Sequence, residues 1–529
     1  MKKVFISLFI CLGLVFVLLA NVKVSAATAP TMIDGASVRT TGEHQGIKFS
    51  AHSDSLGDKH GFFVALGTHT KDAIATAVAE SETTVGGKKL RNVEVEGEDE
   101  DFHLVVYNIP SEKYGQLITA LAYVKEGDTF KFATASVTRN IADVARDEYN
   151  NNETPEDLVS TVAEASKVKV THSNSTVNYY GTLAAAITAT FAEGDTVDLV
   201  RGTYSDNLTV SVNNFTLKGN IEYNLKHNDT YSSSFRDTIL DGVVTTAADE
   251  FDLSNVVFSK KIDLNGANNT AIHNCVSTTT NATYYYAIGT TGTESSNLTV
   301  ENVAIAGNVN RFVYGYGAII NGLTVNNCCV LDSVTINSGS SVGICDFIRL
   351  GQTTDNKSAG TITVSNCYIR AFQSGFTDRK AGGDEYNFIN NYFYDMPNAI
   401  YSKNDSAKAG IVYNITYNTF NNCLKSDKGW DVVEIDPSSN KTVNVNYNAF
   451  ANTGTGASCY SISVLSTATK DCSNNYFKGD ADRVVNNVTP TDWSLEEATT
   501  TVNTYDPYQI VQIAGHYYIY GVNLTHVDE

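Results

Sequence analysis

The segment TITVSNCYIRAFQSGFTDRKAGGDEYNFINNYFYDMPNAIY, residues 361–401, states one phrase twice. Asn366-Cys367-Tyr368-Ile369 returns as Asn390-Asn391-Tyr392-Phe393, each time after an alternating apolar run, and Asp378-Arg379-Lys380 stand between the copies. The phrase recurs as LTVENVAIAG (298–307), LTVNNCCVLD (323–332), ITVSNCYIRA (362–371), YNFINNYFYD (386–395), YNITYNTFNN (413–422), VNVNYNAFAN (443–452) and KDCSNNYFKG (470–479). Its apolar anchors, Ile305, Val330, Ile369, Phe393, Phe420, Phe450 and Phe477, lie 25, 39, 24, 27, 30 and 27 residues apart. Such periods, with strand–corner–strand content, predict stacked rungs that each pair with their neighbours. Looser copies at DTILDG, LSNVVFS and AIHNCVST bring the count to about ten rungs, roughly 45–50 Å of stack at ~4.8 Å per strand.

Two residues before each anchor stand Val303, Cys328, Cys367, Asn391, Asn418, Asn448 and Asn475. The four asparagines predict an amide ladder: Asn tolerates a left-handed corner, and stacked amides bond from rung to rung. Each such bond contributes about 1 kcal/mol net. Cys275, Cys328 and Cys367 share the repeat position, which suits buried free thiols. A disulfide between Cys459 and Cys472 is the pairing an exported chain would permit. The Cys and His residues show no zinc-ligand spacing.

Upstream the grammar differs. Lys2-Lys3, an apolar run over residues 4–20 and Val24-Ser25-Ala26 form a secretory signal over residues 1–26, so the mature chain is expected to be exported. Cleavage removes three lysines and no acids, taking the net charge from −21 to −24. That acidity argues against nucleic acid or an anionic membrane surface as the main partner. Residues 27–142 hold short alternating runs, GIKFSAH, GFFVALG, DFHLVVYNIP and LITALAYVKEGDTFKFATASV, which predict an antiparallel sandwich. The acid run Glu96-Gly97-Glu98-Asp99-Glu100-Asp101 reads as a solvated hairpin loop in preference to a calcium loop. Residues 143–180 read as a linker with one short helix started by Thr154-Pro155-Glu156-Asp157. Residues 181–497 carry the repeat, opening with an alanine-rich helix over residues 183–191. Residues 498–529, with PYQIVQI and GHYYIYG, read as closing strands.

The pattern GASVRTT…GIKFSA…GFFVALG…NIP…ALAYV resembles a small β-sandwich module of large exported bacterial proteins. The order helix, GDTVDLV, GTY, DNLTVSV, NFTLKG resembles the opening of right-handed parallel β-helices, where the helix plugs one end of the stack. Over about 300 residues the repeat resembles the pectate-lyase-like superfamily of extracellular carbohydrate enzymes. The fold class implied is all-β: a right-handed parallel β-helix behind an N-terminal antiparallel sandwich.

Chemistry is sought on the strands after each anchor: DFIRL (346–350), SGFTDRK (374–380), NAIYSKN (398–404) and CLKSDKG (423–429). With Ile348, Phe376, Ile400 and Leu424 inward, alternation turns Arg349, Arg379, Lys403, Lys425 and Asp427 outward. Residues 343–430 hold nine Lys/Arg and eight Asp/Glu, a local net of +1 on an acidic chain. Such a stripe suits a polyanion. The asparagine, aspartate and histidine set of polygalacturonases is absent. VGICDFIRLG resembles the aspartate segment of pectin methylesterases, with Asp346 in place and the upstream Gln-Asp pair missing. The nearest partial resemblance is to the chondroitinase-B and alginate-lyase group, where a Lys-Ser precedes an Arg-His-Gly. Here Lys357-Ser358 precedes Arg379-Lys380-Ala381-Gly382, and the histidine is lost. The resemblance implies Lys357 and Arg379 as the catalytic pair, the lysine as base for β-elimination, while the outward stripe supplies Arg349, Lys403, Lys425 and Asp427 as the expected substrate-binding residues. It implies a Ca2+ or other cation, although Leu350 and Gln352 stand where acidic ligands belong. Two functions follow: an exported protein that binds or cleaves uronic-acid polysaccharide, or a non-catalytic surface rod for adhesion or display.

Overall fold

The computed structural model describes residues 28–33, 35–97, 99–189, 191–223, 225–280, 285–290, 292–315, 320–335, 345–351, 360–378, 383–402, 410–423, 431–435, 441–451, 460–464, 467–473, 475–478, 485–486, 510–513 and 516–519. Strands dominate, and the chain divides into two units, residues 1–166 and 167–529.

In the first unit the alternating runs form two antiparallel sheets. Gly46–His52 pairs with Thr31–Met32, Ser37–Arg39 and Asp101–Tyr107. Ile118–Glu126 pairs with Lys59–Leu66, Thr129–Phe132 and Val137–Arg139, and Lys59–Leu66 also takes Arg91–Val95. Ile47, Phe49, Phe62, Phe102 and Leu121 meet in one apolar core. The acid run joins Arg91–Val95 to Asp101–Tyr107, strands of different sheets, so it is a crossing and not a hairpin.

Residues 143–180 are not a free connector. The helices Ile141–Asn151 and Asp157–Ala165 bury Ile141, Val144, Ala145, Val159 and Val162 in the first unit's core. Asn140 caps the earlier helix, its Oδ1 accepting from Asp143 N at 2.7 Å. Pro155 precedes the later helix, whose N-cap is Glu156. Val168–Thr171 and Val177–Tyr180 are strands of the second unit, where Val168–Thr171 lies antiparallel to both Val177–Tyr180 and Thr196–Leu199. A shorter helix than expected, Leu183–Thr188, buries Leu183 and Ala186 there.

The second unit contains a 22-stranded and an 11-stranded sheet. From Thr196–Leu199 onward the chain alternates between them, and successive visits pair in parallel. The repeat reading holds in detail. Ile369, Phe393, Phe420 and Phe450 align across neighbouring strands. Phe393, Phe420 and Phe450 stack at 5.0 and 4.7 Å between ring centroids. Asn391 Nδ2 donates to Asn418 Oδ1 at 2.9 Å, Asn418 to Asn448 at 3.0 Å and Asn448 to Asn475 at 3.0 Å. Backbone N–H groups of Asn391, Asn418 and Asn448 donate to the same oxygens, so the buried ladder satisfies itself. The left-handed corner lies one residue earlier than expected, at Asn327, Asn366, Asn390, Tyr417 and Tyr447, with φ between 50° and 60°. Cys275, Cys328 and Cys367 are buried free thiols; burial pushes the Cys275 thiol up to about 12. Cys459 lies outside the described residues. Within 498–529, Ile510–Ile513 and His516–Ile519 pair antiparallel in a separate two-stranded sheet.

Candidate functional site

The strands Arg311–Gly315, Asp346–Leu350 and Ser374–Asp378 are neighbours in the 11-stranded sheet, and every residue in them is buried. Their register pairs Arg311 with Asp346 and Ser374, and Tyr314 with Arg349 and Thr377, while passing over Phe347 and Gly375. Phe347 and Ile348 both join the apolar core, and Phe347 stacks on Phe312 at 5.2 Å. Simple alternation is therefore broken between them. Asp346 and Arg349, three apart, meet on one face, where strict alternation would separate them.

That face holds a buried charge cluster. Arg349 Nη1 donates to Asp346 Oδ2 at 3.1 Å, Arg311 Nε lies 3.5 Å from the same oxygen, and Thr377 Oγ1 donates to Asp346 Oδ1 at 2.6 Å. Burial pushes the Asp346 carboxyl up, opposed by Arg349, Thr377 and Arg311. Two guanidinium groups thus face one carboxylate, and Arg349 Nε is buried without a hydrogen-bond partner among the described residues. Burying a donor of a charged group without a partner is costly, so Arg349 Nε is an unusual feature to maintain.

Tyrosines continue the face. The Arg311 guanidinium sits 3.9 Å from the Tyr285 ring centroid and 5.0 Å from that of Tyr314. Tyr286 stacks on Tyr314 at 5.4 Å, and Lys261 Nζ reaches Asp263 at 2.6 Å and the Tyr286 hydroxyl at 3.2 Å. Burial works to lower the Lys261 ammonium pKa, but the bonds to Asp263 and Tyr286 outweigh it and hold the value above the ordinary one. The result is a file across five successive strands of the sheet, from Ile262–Asp263 to Ser374–Asp378. It carries three cations, two carboxylates and three tyrosines, with Tyr285 exposed at 44%. Cations with exposed aromatic surface suit an anionic sugar.

Of the residues picked from sequence, Arg349 belongs to this file, but it is 6% exposed and not on a wet strand face. Ile348, Phe376 and Ile400 are buried in the core as expected. Lys357, Arg379, Lys403, Lys425 and Asp427 lie outside the described residues, as do Leu424 and Gln352. Asp378, first of the charged run, is buried and accepts from the Tyr386 hydroxyl at 2.7 Å, so it serves the interior. Lys261, Arg311, Tyr285, Tyr286 and Tyr314 were not anticipated. The available signal was the tyrosine run at 284–286 and the RFVYGYG phrase at 311–317.

Two other polar clusters are present. His227, 2% exposed, stacks on Tyr368 at 4.2 Å and meets Asp332 Oδ2 at 3.1 Å. Among the described residues, His52, Asp54 and Glu100 of the first unit lie close enough to share a metal ion, and all are at least partly exposed. No protein-family model, curated protein or solved structure matches the chain.

Proposed function

We propose that the second unit is a right-handed parallel β-helix of an exported protein, and that its Lys261–Arg349 file binds an anionic polysaccharide of the uronic-acid type. The first unit is its β-sandwich module. The observation that carries the reading is the buried pair of guanidinium groups around Asp346, continuous with tyrosines that reach the surface at Tyr285. Tyr285 offers an exposed aromatic face for a sugar ring, and the Arg311 guanidinium 3.9 Å from its ring centroid favours a sugar that carries negative charge. Arg379, one residue beyond Ser374–Asp378, and Lys357 are the proposed cation and base should the bound chain be cleaved. Any cation such as Ca2+ would serve by neutralising the uronate.

Binding of polygalacturonate and alginate, measured by calorimetry against a neutral glucan, tests the reading. The uronates are expected to bind, more weakly as salt rises. Tyr285→Ala is expected to reduce affinity about tenfold, one aromatic contact of ~1.4 kcal/mol. Ultraviolet absorbance of unsaturated products in the same samples reads turnover. Equal affinity for uronate and neutral glucan, or none for either, would overturn the proposal.

A further inference from the structure

The 22-stranded sheet carries a separate groove of about 490 Å³, lined on three successive rungs by residues of Ser295–Ile305, Ile320–Asn326 and Thr361–Ser365. Its origin is legible in the chain. Asn297 is left-handed and donates to Asn269 at 2.8 Å, continuing an amide row along one corner. On the next rung the register puts Gly322 opposite Asn297, and the row stops. A Cβ at Gly322 would stand 2.8 Å from Asn297 Oδ1, and one at Gly360 would stand 2.7 Å from Asn321 Oδ1. Glycine is required at both places, with φ of +87° and +60°, and the missing side chains leave the hollow.

Along the hollow, Thr299, Thr324 and Thr363 are consecutive partners in the parallel register. Alternation points them away from Leu298, Val300, Leu323, Val325, Ile362 and Val364, which are all in the core. Their spacing is about 10 Å across three rungs. The three hydroxyls and the Asn321 amide make no side-chain hydrogen bond among the described residues, so their capacity is open to a ligand. Among the described residues no charged side chain lines the groove. A row of hydroxyls and an amide matches the alternating donors and acceptors of a sugar. The threonine methyls add apolar contact for sugar C–H faces.

We propose that this groove binds a short segment of a neutral polysaccharide through Thr299, Thr324, Thr363 and Asn321. The site lies on a different sheet from the cation–tyrosine file and stands or falls independently of it. Calorimetric titration of the full chain with cellohexaose, xylohexaose and mannohexaose tests it. At least one is expected to bind. Thr324→Val and Thr363→Val are each expected to weaken it about tenfold, one hydrogen bond apiece, with an unchanged melting transition. Thr324→Trp, which fills the hollow, is expected to abolish binding, and Tyr285→Ala is expected to leave it intact. Binding by none of the three sugars, or unchanged affinity in both valine variants, overturns the proposal. So does loss of neutral-sugar binding in Tyr285→Ala, which would place these sugars in the other site.

Discussion

The two long parallel sheets share one building rule and use buried polarity in opposite ways. In the 22-stranded sheet, Asn391, Asn418, Asn448 and Asn475 bond to one another and to backbone carbonyls, and the row closes on itself. In the 11-stranded sheet, Asp346 is shared by Arg311 and Arg349, and Arg349 Nε has no hydrogen-bond partner among the described residues. A buried polar group whose neighbours satisfy it needs no ligand to explain it. A buried group whose neighbours leave it unbalanced carries a cost that architecture alone does not offset.

The hardest blow to the comparison is expected at the ladder. Asn418→Leu orphans the Asn391 backbone N–H and removes one side-chain donor each from Asn448 Oδ1 and the Phe388 carbonyl, Asn448 Oδ1 keeping the backbone N–H of residue 418. Chemical denaturation is expected to show a loss of about 4 kcal/mol from the second unit. A loss under about 1 kcal/mol would mean that water or neighbours replace the row.

Asp346→Ala comes next. It removes the carboxylate that two buried guanidinium groups share and is expected to cost about 3 kcal/mol, whereas Arg349→Met leaves Asp346 with Arg311 and Thr377 and costs about 1 kcal/mol. Equal costs from the two substitutions would show that Arg349 matters to the fold as much as the carboxylate it pairs with. A smaller, opposite effect is expected between the sheets, where Ala371 is held at a φ of 64°. Ala371→Gly relieves that strain and should stabilise by about 0.5–1 kcal/mol in the same assay.

The two histidine clusters give the smallest effects, with opposite signs. Hydrogen bonds to Asp101 and Asp54 raise the His52 pKa, so its contribution is full below pH ~6.5 and fades as pH rises through the raised value. Burial lowers the His227 pKa, against the pull of Asp332 and Asp229 and with Arg370 adding to the lowering. A folded state that resists protonation loses stability as pH falls below ~6.5. Acidifying from pH 7.5 to 5.5 should therefore raise the first unit's melting temperature relative to its His52→Gln variant and lower the second's relative to its His227→Gln variant, while burial of His60 and His103 works against His52 in the first unit. His52→Gln and His227→Gln should each flatten one of the two trends.

Much of the scaffold was legible because it repeats. A residue that returns at one phase of a period, such as Asn418 or Phe420, reports its own stacking partner. The left-handed corner was misplaced by one residue because Tyr417 and Tyr447 occupy it where other rungs use Asn, and tyrosine carries no such signal. The helix Ile141–Asn151 was missed because the expected boundary at residue 142 ran through it and divided its apolar face of Ile141, Ala142, Val144 and Ala145. The site was harder to read. Arg349 was picked for its charge, but its partners come from separate rungs: Arg311 lies 38 residues upstream and Thr377 lies 28 downstream. The break in alternation at Phe347, which puts Asp346 beside Arg349, leaves no mark in composition. Asp378 shows the converse, a charge that looked functional and is buried against Tyr386.

The measurement that bears most directly on this division is polygalacturonate affinity of Arg349→Met beside its unfolding free energy. The expected result is a fold weakened by about 1 kcal/mol and an affinity reduced at least about tenfold, because one of the cluster's two guanidinium charges is gone while Asp346 keeps Arg311 and Thr377. Undiminished affinity in a folded Arg349→Met protein would contradict it.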